Sequence, residues 1–213
     1  MGAAGAILRY SAGMENLDLQ QPALPPELAA RMADLYRRME EEYDQVARQL
    51  DFSCQGCPDN CCDSYFQHHT RIEWAYLWEG LRQLPTRQRE AIYHRARQYQ
   101  RGQEEALAAD QRPALLCPLN EDGLCGLYAH RLMICRLHGV PATISFPGGR
   151  QQQFPGCWRC QELAAHRREV PTMERSPLLR ELAALEQRYH PGGHAPGRRI
   201  KMTIAEMIIA GPP

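Results

Sequence analysis

A chain of 213 residues, 44% hydrophobic and 23% charged, is long enough to bury its own core and needs no staple merely to fold. Its 25 acidic and 25 basic residues cancel, so no global field recruits nucleic acid or an anionic membrane. No apolar run approaches the roughly 18 residues that span a bilayer.

Residues 1–24 show little periodicity and read as a flexible N-terminal arm. They lack the basic n-region of a secretory signal, and Ala6 stands where a myristoylation signal needs Ser or Thr. The expected compartment is the cytoplasm, where thiols stay reduced. From Pro25 the pattern changes. Leu28, Met32, Leu35, Met39, Tyr43, Val46 and Leu50 recur at spacings of three and four, which predicts one long helix with Pro26 near its first turn. Thr70 and Glu73 match a capping box and predict a helix over about 71–83. Pro85 opens another, about 86–108, with Ile92, Ala96, Tyr99 and Leu107 facing inward. That helix also carries Arg87, Arg89, Arg95, Arg97 and Arg101, diluted by glutamates at 90, 104 and 105.

"ATISFPGGRQQQF" predicts two short strands around Pro147-Gly148-Gly149. Ser176-Pro177 starts a helix with Leu178, Leu179, Leu182, Leu185 and Tyr189 on one face. A Pro/Gly-rich link over 191–197 leads to Thr203 and Glu206, a second capping-box pair, and the apolar turn "IAEMIIA". The expected fold is mainly α: an irregular helical domain over 25–190 with cysteine-rich loops and one candidate β-hairpin, followed by a C-terminal extension over 191–213.

Nine cysteines are distributed unevenly. Cys54, Cys57, Cys61 and Cys62 crowd into "CQGCPDNCC", among turn residues. Cys117, Cys125 and Cys135 follow, then Cys157 and Cys160 in "PGCWRC". An odd count in a reducing compartment argues against complete disulfide pairing. A thiolate is a soft, strong ligand, and a C-x-x-C turn aims both sulfurs at one centre, as zinc and iron–sulfur sites require. All nine are therefore candidate metal ligands, and eight of them would fill two four-thiolate sites. Adjacent side chains diverge, so Cys61 and Cys62 serve two centres, or only one of them is a ligand. The plainer reading is a small buried hydrophobe, strongest for Cys117 and Cys125. His68, His69 and His138 lie near cysteines, although a lone histidine more often serves packing. Arg131, Arg136 and Tyr128 are either supports that hydrogen-bond to thiolates or surface residues.

"CQGCPDNCC", "CPLNEDGLCGLYAHRLMICRLHGVP" and "PGCWRC" together resemble the bacterial YkgJ family of cysteine-cluster proteins, described as a zinc- or iron-chelating CxxCxxCC domain. The resemblance runs from about Cys54 to Cys160. It implies that Cys54, Cys57, Cys61, Cys62, Cys117, Cys125 and Cys135 occupy the shared positions, with Cys157 and Cys160 a more variable pair. Two departures stand out: three residues before the double cysteine instead of two, and Leu132 after Arg131 where the family often has proline.

The expected function is metal binding, with a zinc or iron ion as cofactor and partner, no nucleic acid and no membrane. A [4Fe-4S] cluster protein in electron transfer or as an enzyme component is the alternative. A thiol redox module built on Cys157 and Cys160 is a third reading, but it wants a βαβ unit that the pattern lacks. No catalytic acid, base or nucleophile, and no protein partner, is legible.

Overall fold

A computed structural model describes residues 24–55, 57, 61–189 and 200–213. The arm (except Leu24), the 191–197 link and the turn residues Gly56, Pro58, Asp59 and Asn60 lie outside the described residues. The fold is mainly α. Helices α1 (Pro26–Gln49), α2 (Arg71–Gln83) and α3 (Thr86–Ala108) come first. A two-stranded ribbon, β1 (Asn120–Glu121) and β2 (Leu124–Cys125), precedes α4 (Met133–Leu137). Then come β3 (Ala142–Ser145), β4 (Gln151–Phe154), α5 (Trp158–Ala164), β5 (Met173–Glu174), α6 (Ser176–Arg188) and α7 (Ile204–Ala210). Among the described residues no helix is long and apolar enough to cross a membrane.

α2 organises the molecule because it is buried almost all round. Ile72, Ala75 and Tyr76 enter one core with α1, α6 and the β3–β4 hairpin. Leu77, Trp78 and Leu81 enter a second core with α3 and α7. Trp74 and Trp78 donate their indole N–H groups to the Met207 carbonyl at 3.0 and 3.1 Å, tying α7 to α2. The C-terminal extension is thus folded onto the domain.

The Thr70–Glu73 pair does not form the predicted capping box. Glu73 turns inward and accepts from the Tyr36 hydroxyl at 3.0 Å, the Met133 N–H at 2.8 Å and the Thr70 hydroxyl at 2.7 Å. The start of α2 is capped from a distance: Glu186 of α6 accepts from the Arg71 and Ile72 N–H groups at 3.0 and 2.8 Å. The Thr203–Glu206 box does form, reciprocally. Leu107 is 50% exposed rather than inward. The buried stripe of α3 ends at Gln103, which donates to Glu206 at 3.1 Å, so the face that Leu107 extends has run past α7. Ser176 does not cap α6. Its hydroxyl accepts from the Ser145 N–H at 2.7 Å, pinning α6 to β3.

The predicted hairpin is present, with Ala142 opposite Phe154 and a turn through Gly148 and Gly149, both at positive φ. β5 adds a parallel strand on the other side of β3, which the sequence pattern did not announce.

Candidate metal centre

The thiols separate into an inner and an outer group. The inner group is Cys62, Cys117, Cys125 and Cys135, drawn from three segments. A short turn over Cys61–Asp63 presents Cys62. Its carbonyl accepts from the Cys117 N–H at 2.9 Å, which pins the two segments side by side. The Cys117 thiol accepts the N–H of Leu119, and the Cys125 thiol likewise accepts the N–H of Leu127. Two cysteines thus sit in the same two-residue turn, with a backbone donor on sulfur that favours a thiolate. Asp122 and Gly123, both at positive φ, make the tight ribbon turn that sets Cys125 opposite Asn120. Cys135 comes from α4. Cys117, Cys125 and Cys135 all pack against the second core.

Two arginines hold this arrangement. Arg136 is 3% exposed and lies over the Tyr36 ring at 4.5 Å. It donates to the carbonyls of Tyr128, Ala129 and Arg131 at 3.0, 2.8 and 2.6 Å, so the loop before α4 is wrapped around one guanidinium. Arg95 of α3 donates to the Pro118 carbonyl at 2.7 Å and supports the Cys117 turn. Arg131 favours ionisation of Cys62, Cys125 and Cys135. Tyr128 instead donates to Glu40 at 3.0 Å.

Cys61 and Cys62 share a proton unequally. Cys61 keeps it, with a pKa far above the ordinary thiol range because it donates to Cys62 and is desolvated. Cys62 is brought down to about 6 by that bond, then by the Asn120 side chain and Arg131, against its own burial. Burial pushes Cys117 up to about 12 and raises Cys125 and Cys135 as well. A metal that binds here must displace these protons, so binding releases acid and strengthens as pH rises.

The outer group is Cys54, Cys57, Cys157 and Cys160. Cys54 and Cys57 are joined by a turn in which the Cys57 N–H donates to the Cys54 carbonyl at 3.1 Å. Cys54 lies 3.9 Å from the Tyr43 hydroxyl. Cys160 is buried in the first core, and Cys157 packs against that core. Burial first, then the nearby Cys157 and Cys54, pushes Cys160 up to about 11. Cys157 is delivered by Gly156 at φ +86, and its N–H donates to the Gly139 carbonyl at 2.9 Å. A Cβ on Gly156 would stand 2.5 Å from that same carbonyl oxygen, which is backbone and cannot swing aside. Gly156→Ala is therefore expected to destabilise the chain by about 2 kcal/mol or more, from wrong-handed φ and the clash together. It should also raise Cys157 alkylation by iodoacetamide, read by peptide mass spectrometry. An unchanged melting curve would contradict this placement of Cys157.

All nine cysteines are free thiols. Among the described residues, no three histidine, cysteine or carboxylate side chains form a group that could hold a metal ion. The inner group nevertheless suits a soft ion in its chemistry, with sulfur donors backed by N–H groups and a cation. Around it, Arg131 Nε and His68 Nε2 are buried without a hydrogen-bond partner. Cys61 lies between the groups, influenced by Cys135 and Cys54. His69 meets the Ile200 carbonyl at 3.1 Å, and His138 lies edge-on to Phe66. Sequence reasoning missed Asn120 and the ribbon that carries it, although Asp122-Gly123 is a strong hairpin signal.

Comparison with protein-family models, with curated proteins and with solved structures returned no match.

Proposed function

We propose that the chain is a metal-binding protein that holds zinc or iron through clustered cysteine thiolates, of the cysteine-cluster type that the YkgJ family represents, in a reducing cytoplasmic setting. The observation that carries this reading is the convergence of Cys62, Cys117, Cys125 and Cys135 from three chain segments, two of them in identical N–H-to-sulfur turns. Core filling does not ask for that, because apolar packing gains nothing from a backbone donor aimed at sulfur. The outer group supplies a second set of donors. Its Cys54 is exposed, so it is the more accessible to exchange.

The disulfide-exchange reading fits less well. Cys157 does stand at the start of α5, but β4 runs antiparallel to β3 and β5 parallel to it, so the strands flanking α5 are not the parallel pair of a βαβ unit.

The test is site-resolved loading under anaerobic conditions. Single serine replacements at 62, 117, 125 and 135 are each expected to remove about one bound ion per chain, and Cys54→Ser with Cys157→Ser should remove another, since each group offers four donors. Metal content that ignores all of these changes would sink the reading.

A further inference from the structure

The cysteine groups do not explain His68. Its backbone is clamped on both sides by Met202, donating to that residue's carbonyl at 2.7 Å and accepting from its N–H at 3.1 Å. The residue is 3% exposed, and its Nε2 has no hydrogen-bond partner. A buried polar atom left unpaired is costly, so it calls for an explanation. Here the surroundings offer one. His68 lines a cavity of about 20 Å³ whose wall also includes Cys62, Cys117 and Cys135. That volume admits one water-sized body. The cavity's other polar walls are Ser64, Tyr99 and Thr203, and the Thr203 hydroxyl is already engaged in the α7 capping box.

We propose that His68 is a nitrogen ligand, through Nε2, for the ion held by the inner thiols, which makes that centre a mixed sulfur–nitrogen site. The assignment rests on the reading of these thiols as metal ligands and adds a donor from a different segment. Three features carry it: the clamped backbone, the unpartnered ring nitrogen and the small cavity that His68 lines together with Cys62, Cys117 and Cys135. Imidazole and thiolate together are an ordinary donor set for zinc and for ferrous iron. His69 and His138 have other engagements, with the Ile200 carbonyl and the Phe66 ring.

The experiment uses the full chain, labelled with ¹⁵N at histidine, stripped of metal and reloaded anaerobically with ¹¹³Cd²⁺. One imidazole Nε2 resonance is expected to show one-bond splitting by cadmium, traced through its ring to the His68 backbone. His68→Gln should lose the split resonance, keep the thiolate-to-cadmium absorption and bind roughly tenfold more weakly. If cadmium binds through thiolates and the His68 Nε2 signal stays where it is in the metal-free chain, the proposal is overturned and the thiol reading stands. If the chain takes up no cadmium, both fall. The wild-type splitting decides the matter even if the variant fails to fold.

Discussion

Stripping the metal from the anaerobically purified chain is expected to lower its unfolding midpoint by about 10 °C. An ion present at a thousand times its dissociation constant stabilises the native state by about 4 kcal/mol, and each kcal/mol moves the midpoint of a chain this size by about 2–4 °C. The loss should be local in structure. α1, α2, α3, α6 and α7 are held by two apolar cores in which Cys160 is the one buried thiol and the others pack only at the margins, so far-UV circular dichroism should change little. Amide exchange should accelerate in the Cys61–Asp63 turn, the ribbon and the loop before α4, where the backbone is arranged around sulfur. A chelator that removes the metal, verified by elemental analysis, and leaves both midpoint and exchange unchanged would contradict a metal role in these loops.

Glu73→Ala is expected to destabilise the chain by about 3–4 kcal/mol, among the largest effects of any single substitution. Glu73 is buried, and its carboxylate joins α1, α2 and the start of α4. Alanine leaves the buried Tyr36 hydroxyl and the half-buried Met133 N–H unpaired, at about 1–3 kcal/mol each. Glu73→Gln keeps the shape and one acceptor and should lose about half as much. The effect reaches the site because Met133 opens the helix that carries Cys135. The alanine variant should therefore bind metal more weakly even at temperatures where it remains folded. Denaturant unfolding monitored by tryptophan fluorescence measures the first effect and a metal titration the second. A loss under 1 kcal/mol would show that the carboxylate is not the link described here.

Local chemistry made the helices legible. The stripe from Leu28 to Val46, the Pro-Gly-Gly hairpin and the Thr203–Glu206 box each depend on residues close in sequence. Where the fold departs from the pattern, a distant partner decides. Glu73 leaves its helix end because Tyr36 and Met133 compete for it, and Glu186, more than a hundred residues away, takes over the cap. Ser176 follows Ser145 for the same reason. The two residues of β5 carry no period of their own and pair only because β3 offers an edge.

The same division holds at the site. That these cysteines are chemically special could be read from their spacing. Which sulfurs face one another could not, because Cys62 meets Cys117 only through the fold, and Cys160 joins a different core. His68 reads in the sequence like any other histidine; only the fold clamps its backbone to Met202 and sets it in the wall of a cavity with three of the cysteines.

The most direct measurement is zinc, iron and acid-labile sulfide per chain on a single anaerobically purified sample. The account predicts about two ions of zinc or iron per chain with sulfide near zero, one for each group of four thiols. Metal well below one per chain would contradict the proposed function outright, and iron matched by sulfide would replace bound ions with a cluster.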